Sequence, residues 1–103
     1  MAYSAASDVK TILQSASDDL TFDAEIGDCI VSADALIDGL LKREGLTVPD
    51  PVPQNISDAS AYFSAWMFRH RRDPSAAEVF WVEAHKFLDT YVSAESGAGL
   101  RVV

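Results

Sequence analysis

Side chains able to carry metal or covalent chemistry are few in this sequence. Cys29, His70 and His85 are its only thiol and imidazole groups. A structural or catalytic metal needs such ligands at short, regular spacing. Here each of the three falls on a different helical segment, and no CxxC, HxxxH or Glu-x-x-His pattern occurs. Structural roles follow for all three, because a lone cysteine is among the most buried residue types and one histidine per helix is ordinary. His85, one helical turn before Asp89, reads as half of a surface pair. Serines are present, yet no nucleophile elbow or glycine-rich loop presents one for attack. The acidic pairs Asp18-Asp19 and Asp34/Asp38 fall on a turn and on a polar helix face, where carboxylates stay solvated and keep ordinary acidity. The expectation is a protein that is not an enzyme and carries no metal or cofactor.

The remaining candidates are for recognition. Arg69-x-Arg71-Arg72 is the one basic cluster, and it admits three readings: a nucleic-acid contact, a set of cations at a helix C-terminus, or a contact with acidic groups of a neighbouring subunit. Overall charge weakens the first. Sixteen acids against eight bases give a net charge of −8 and a pI near 4.4, which repels phosphate. The charge is also segregated: residues 1–41 carry −7, residues 42–72 carry +2 and the remainder −3. Phe68, Val31, Val79 and Val82 fall off the apolar stripes of their helices, which suggests a second surface buried by assembly. Arg69, Arg71, Arg72, Phe68 and Val31 are therefore the candidate inter-subunit contacts. Leu100-Arg101-Val102-Val103, three apolar residues around a cation, form a candidate partner-binding tail.

These residues need elements to position them. The length of 103 residues gives one domain, and 49% hydrophobic content excludes a disordered polar chain. No apolar run approaches the ~20 residues of a membrane-spanning helix, and Met1-Ala2-Tyr3-Ser4 lacks the features of a signal peptide. A single cysteine excludes an internal disulfide. Eleven aspartates against three lysines would suit a high-salt cytoplasm; a mesophilic acidic protein is the alternative. Periodicity predicts a first helix over about Ala5–Gln14, capped by Ser4 or Ser7. A second runs over about Phe22–Glu44, capped by Thr21 or Asp19 and stopped by Gly45. Its stripe is Phe22, Ile26, Cys29, Ile30, Ala33, Leu36, Ile37, Leu40 and Leu41, opposite Asp28, Asp34, Asp38 and Lys42. Pro49, Pro51 and Pro53 enforce an extended, polyproline-like connection. A third helix over about Gln54–Arg72 buries Ile56, Ala59, Tyr62, Phe63, Trp66, Met67 and His70, with Phe68, Ala61 and Ala65 on its far side. Asp73 caps a fourth that starts at Pro74 and runs to about Ser93. It buries Ala77, Phe80, Trp81, Ala84, Phe87, Leu88 and Tyr91. The expected fold is all-α, a small four-helix bundle-like domain over 1–94 with a Pro-rich connection and a flexible tail over 95–103.

Order and spacing carry a resemblance. A Met-Ala-Tyr start is followed by Asp8-Val9 opening the first helix, and Ala33-x-x-x-Ile37-Asp38-x-x-Leu41 lies on the long second one. After the proline-bearing connection come Pro53-x-x-Ile56-x-x-Ala59, Arg71-Arg72-x-Pro74 and Glu83-Ala84-x-x-Phe87-Leu88. Over about residues 1–92 this arrangement resembles the head–tail connector (head completion, or adaptor) proteins of tailed bacteriophages and archaeal tailed viruses. The matching positions are mainly core and turn chemistry, and the family has no catalytic residues to carry over. The resemblance implies a virion protein at the head–tail interface. It would form a ring, twelve-fold by the same resemblance, between the portal protein and a tail or stopper protein. Genome DNA would pass through without specific binding, and an acidic lining would suit that passage. No membrane and no cofactor are implied. The alternative from the residues alone is a small cellular helical interaction module or regulator that binds a single protein partner.

Overall fold

The computed structural model describes residues 2–14 and 21–95, and these form four helices with no strand among them. They are α1 (Ala6–Leu13), α2 (Asp23–Arg43), α3 (Gln54–His70) and α4 (Pro74–Glu95). The all-α class expected from periodicity is the class observed. The tail with Leu100, Arg101, Val102 and Val103 lies outside the described residues.

Helix ends follow local chemistry, though not always through the expected residue. Asp8 stabilises the start of α1 by accepting from the Ala5 backbone N–H at 2.9 Å, the returning half of a capping box. Neither Ser4 nor Ser7 caps it: Ser4 turns inward and shares a 2.7 Å hydrogen bond with Ser60 of α3, and the Ser7 carbonyl accepts from Thr11 Oγ1. No side chain caps α2, whose N-cap is Phe22. Its C-terminus is the expected glycine stop. Gly45 sits at φ +73°, the Gly45 N–H donates to the Lys42 carbonyl and the Leu46 N–H to the Leu41 carbonyl, which answers carbonyls the helix cannot. α3 ends two residues before the expected Arg72. Asp73 then caps α4, its carboxylate accepting from the Ala76 N–H at 3.3 Å, and Pro74 fills the first helical position, where a missing N–H costs nothing.

α3 is the central element, packed by α1, α2 and α4. One of its faces contributes Ile56, Ala59 and Phe63 to a core completed by Ala33, Ile37 and Leu41 of α2 and by Ala84, Leu88 and Tyr91 of α4. Another contributes Ala61, Ala65 and Phe68 to a second core with Val9 of α1 and Ile26, Cys29 and Ile30 of α2. The far side of α3 is thus a second packing face, which corrects the single-stripe reading. Small residues make it so: Ala61, Ala65, Ser60 and Ser64 are all buried, and short side chains let helices approach closely. Ser64 satisfies its hydroxyl on the Ser60 carbonyl one turn back, at 2.7 Å. The connection from 45 to 53 is non-helical, with a cis Asp50–Pro51 peptide. Leu46, Val48 and Val52 hold it against the first core.

Candidate functional site

Two of the three clustered arginines converge on one carboxylate, that of Glu25 in the first turn of α2. Arg72 grips it with two nitrogens, Nη2 to Oε1 at 2.8 Å and Nη1 to Oε2 at 3.0 Å, and Arg71 Nη1 adds a bond to Oε2 at 2.9 Å. Charge-assisted bidentate pairing of this kind fixes geometry as well as charge. Hydrogen bonds from Arg72, with those from Arg71 and the field of both arginines, lower the pKa of Glu25 to about 2. The Arg72 guanidinium does more. Its Nη1 also donates to the Phe68 carbonyl at 2.9 Å, and its centre lies 3.9 Å from the Phe68 ring centroid and 5.1 Å from that of Phe22. The two phenyl rings meet edge to face at 5.4 Å.

The arginine corner shows the capping reading and, beside it, a contact within the chain. Arg72 does cap the end of α3, and the arginines do meet an acidic group from the negatively charged front of the chain. That group belongs to the same chain. Phe68, expected to stand apart from the stripe, is buried in the second core. Arg69 parts from the cluster and lines a cavity of about 290 Å³ with Lys10, Phe22 and Phe68. Val31 faces outward, 69% exposed, beside Ala35, Asp34 and Asp38 at the edge of α2, and Arg71 and Arg72 are exposed as well. Val79 and Val82 of α4 are likewise exposed.

Three arrangements escaped the sequence reading. Asp34, placed on the polar face of α2, is half-buried and receives the Tyr3 N–H at 2.9 Å and the Ser60 hydroxyl at 2.7 Å. Burial raises its pKa while those two donors oppose the rise. Tyr3 also donates its phenolic hydroxyl to Asp38, and burial, with that bond and the nearby carboxylates, pushes the pKa of Tyr3 up to about 12. Together these contacts tie the N-terminal segment across α2 and α3. The available signal was that Asp34 sits at the margin of the stripe, one turn from both Ile30 and Ile37. Second, Lys10 is buried and its Nζ lies 2.6 Å from Asp23 Oδ1. Third, His85 is not paired with Asp89 as expected; its ring lies 5.3 Å from Phe63 and 4.6 Å from Trp81.

Among the described residues no group of three or more His, Cys, Asp or Glu side chains could hold a metal ion. Cys29 is fully buried, and that burial raises the pKa of its thiol, which disfavours the reactive thiolate. No described helix is long and apolar enough to cross a membrane. Comparison with protein-family models, with curated proteins and with solved structures finds no match to this chain.

Proposed function

We propose that this chain is a structural subunit that assembles with copies of itself and with unlike protein partners, as a head–tail connector of a tailed virus does. In that role it forms a ring between a portal and a tail or stopper protein and continues the DNA channel. The observation that carries the reading is the placement of its exposed aliphatic residues. Val31 on α2 and Val79 with Val82 on α4 stand in solvent, on two different helices that both pack on α3. A head-to-tail ring joins two unlike patches of one subunit, whereas a two-fold dimer needs only one. The sequence resemblance points the same way. The surplus of carboxylates would keep a DNA passage from adhering to phosphate, or would suit a salt-rich host.

The test is mass and shape. Light scattering and negative-stain imaging of the purified protein, alone and with a portal, should show closed rings that grow with concentration. Val31→Asp, or Val79→Asp with Val82→Asp, should abolish them while helicity stays unchanged. A mass that remains monomeric under all these conditions, or rings indifferent to both variants, would refute the proposal and favour a module with one cellular partner.

A further inference from the structure

The chain has two tryptophans, and both line the same pocket. Trp66 and His70 stand one turn apart at the end of α3, with ring centroids 4.9 Å apart. Pro74, Glu78 and Trp81 recur along one face of α4 as it leaves the turn. The two indoles approach to 4.6 Å with their planes tilted by 51°. The rings are thus in direct contact, and beside them opens a shallow cavity of about 260 Å³ lined by Trp66, His70, Pro74, Glu78 and Trp81. Both indoles are half-buried and Glu78 is exposed at the rim.

Such a lining selects its occupant. Indole faces attract cations more strongly than other aromatic rings do, and a carboxylate at the rim adds a charged acceptor for N–H donors. The positive end of α4 would oppose a cation here, but Asp73 already caps it. The pocket therefore fits a guanidinium on an apolar arm. Arginine suits it better than lysine, because a planar guanidinium can stack on indole and still donate to the carboxylate.

We infer that this pocket receives the side chain of Arg101 from a second copy of the chain. Several of the other bases are engaged within the subunit: Lys10 with Asp23, Arg71 and Arg72 with Glu25, and Lys86 with Glu83. In the sequence Arg101 stands between Leu100 and Val102, apolar flanks suited to a pocket walled by proline and indole. Reach favours a neighbour over the subunit itself. Glu95 ends α4, and Glu78 lies seventeen residues back along it, about 25 Å at the rise of an α-helix. The six residues from Ser96 to Arg101 span at most about 20 Å when fully extended, so the subunit's own arginine meets Glu78 only at full stretch. A copy placed head to tail presents it without that stretch, and such a contact propagates into a ring. The inference thus deepens the ring reading and rests on it for the identity of the donor.

Both tryptophans report on the pocket, so indole fluorescence reads it directly. The acceptor is the full chain carrying Arg101→Gln, and the probe is a synthetic peptide with the sequence of residues 95–103. The peptide should change the emission saturably; a peptide with glutamine in place of arginine should bind roughly tenfold more weakly, as should the native peptide to an acceptor also carrying Glu78→Gln. In the full chain, Glu78→Arg and Arg101→Glu should each weaken self-assembly in sedimentation, and the double variant should restore it. Failure of the peptide to bind, or binding indifferent to its arginine, overturns the inference even if rings form. Emission that depends on Arg101 but not on protein concentration also overturns it, since the pocket would then be filled in cis. Arginine-dependent peptide binding by a chain that never assembles supports the pocket and refutes the ring reading separately.

Discussion

Replacing Ile37 tests the packing of α2 more sharply than any other single change. The side chain is fully buried, in a core shared by Leu41 of α2, Phe63 of α3 and Leu88 of α4. Alanine there removes three carbons, about 2.4 kcal/mol of transfer free energy at roughly 0.8 kcal/mol each. The cavity left behind raises the cost to about 3–4 kcal/mol, within the usual range for such truncations. A domain of this length has roughly 5–15 kcal/mol of total stability, so the loss is a large fraction of the whole. The melting midpoint followed by circular dichroism should fall by roughly 15–30 °C. Aspartate at the same position adds an unpaired buried charge and should abolish the cooperative transition. Val31 on the same helix is the control: at 69% exposure, Val31→Ala should shift stability by no more than about 0.5 kcal/mol. An Ile37→Ala midpoint within about 5 °C of the wild type would mean that α2 does not pack as described.

Three further outcomes follow from the contacts. The pKa of Glu25 is held down to about 2 from an ordinary value of 4.5, so its stabilisation is complete above the unfolded value and is lost as pH falls through about 2. Glu25→Gln should therefore lower the melting midpoint at pH 7, and the difference from wild type should vanish near pH 2; a gap of equal size at both pH values would refute the arginine clamp. Ser60→Ala leaves buried acceptors without their donor and should cost about 1–3 kcal/mol in urea denaturation, a loss that an unchanged midpoint would disprove. At moderate salt the free protein should show no tight affinity for duplex DNA in fluorescence anisotropy, because its net charge is repulsive; salt-sensitive submicromolar binding would revive the regulator alternative.

Elements with large apolar side chains at helical spacing were legible from sequence, and α2 with its glycine stop is the clearest case. Periodicity shows only one stripe on α3 because its second face is built from Ala61, Ala65, Ser60 and Ser64, whose small side chains give little hydrophobic signal whether buried or exposed. Only Phe68 marked that face, and a lone phenylalanine off the stripe pointed equally well to a partner protein. The burial of Asp34 is hidden from periodicity for a related reason. Periodicity assigns a polar residue to solvent unless something shows a donor nearby, and its donors, Tyr3 and Ser60, are 31 and 26 residues away.

Charge segregation along the sequence illustrates how far such a pattern constrains an assembly. An acidic front and a basic middle are complementary, and complementarity alone is satisfied equally by one chain folding back or by two chains meeting. Here the fold satisfies part of it internally, since Glu25 takes both Arg71 and Arg72 and leaves the front of the chain with its other carboxylates. Asp28 and Asp38 face outward on α2, beside the exposed Val31. An interface built on that patch must therefore tolerate or neutralise carboxylates. A neighbour bringing cations to Val31 would bind more weakly as salt rises, because exposed charges are screened within about 10 Å at 0.1 M. A neighbour seated on Val79 and Val82 through apolar contact would hold, or tighten, under the same change. The salt dependence of assembly by the unsubstituted chain thus tells which side governs the contact: ring mass that falls as salt rises shows charge at the Val31 side in control, and mass that holds or grows shows an interface carried by apolar contact.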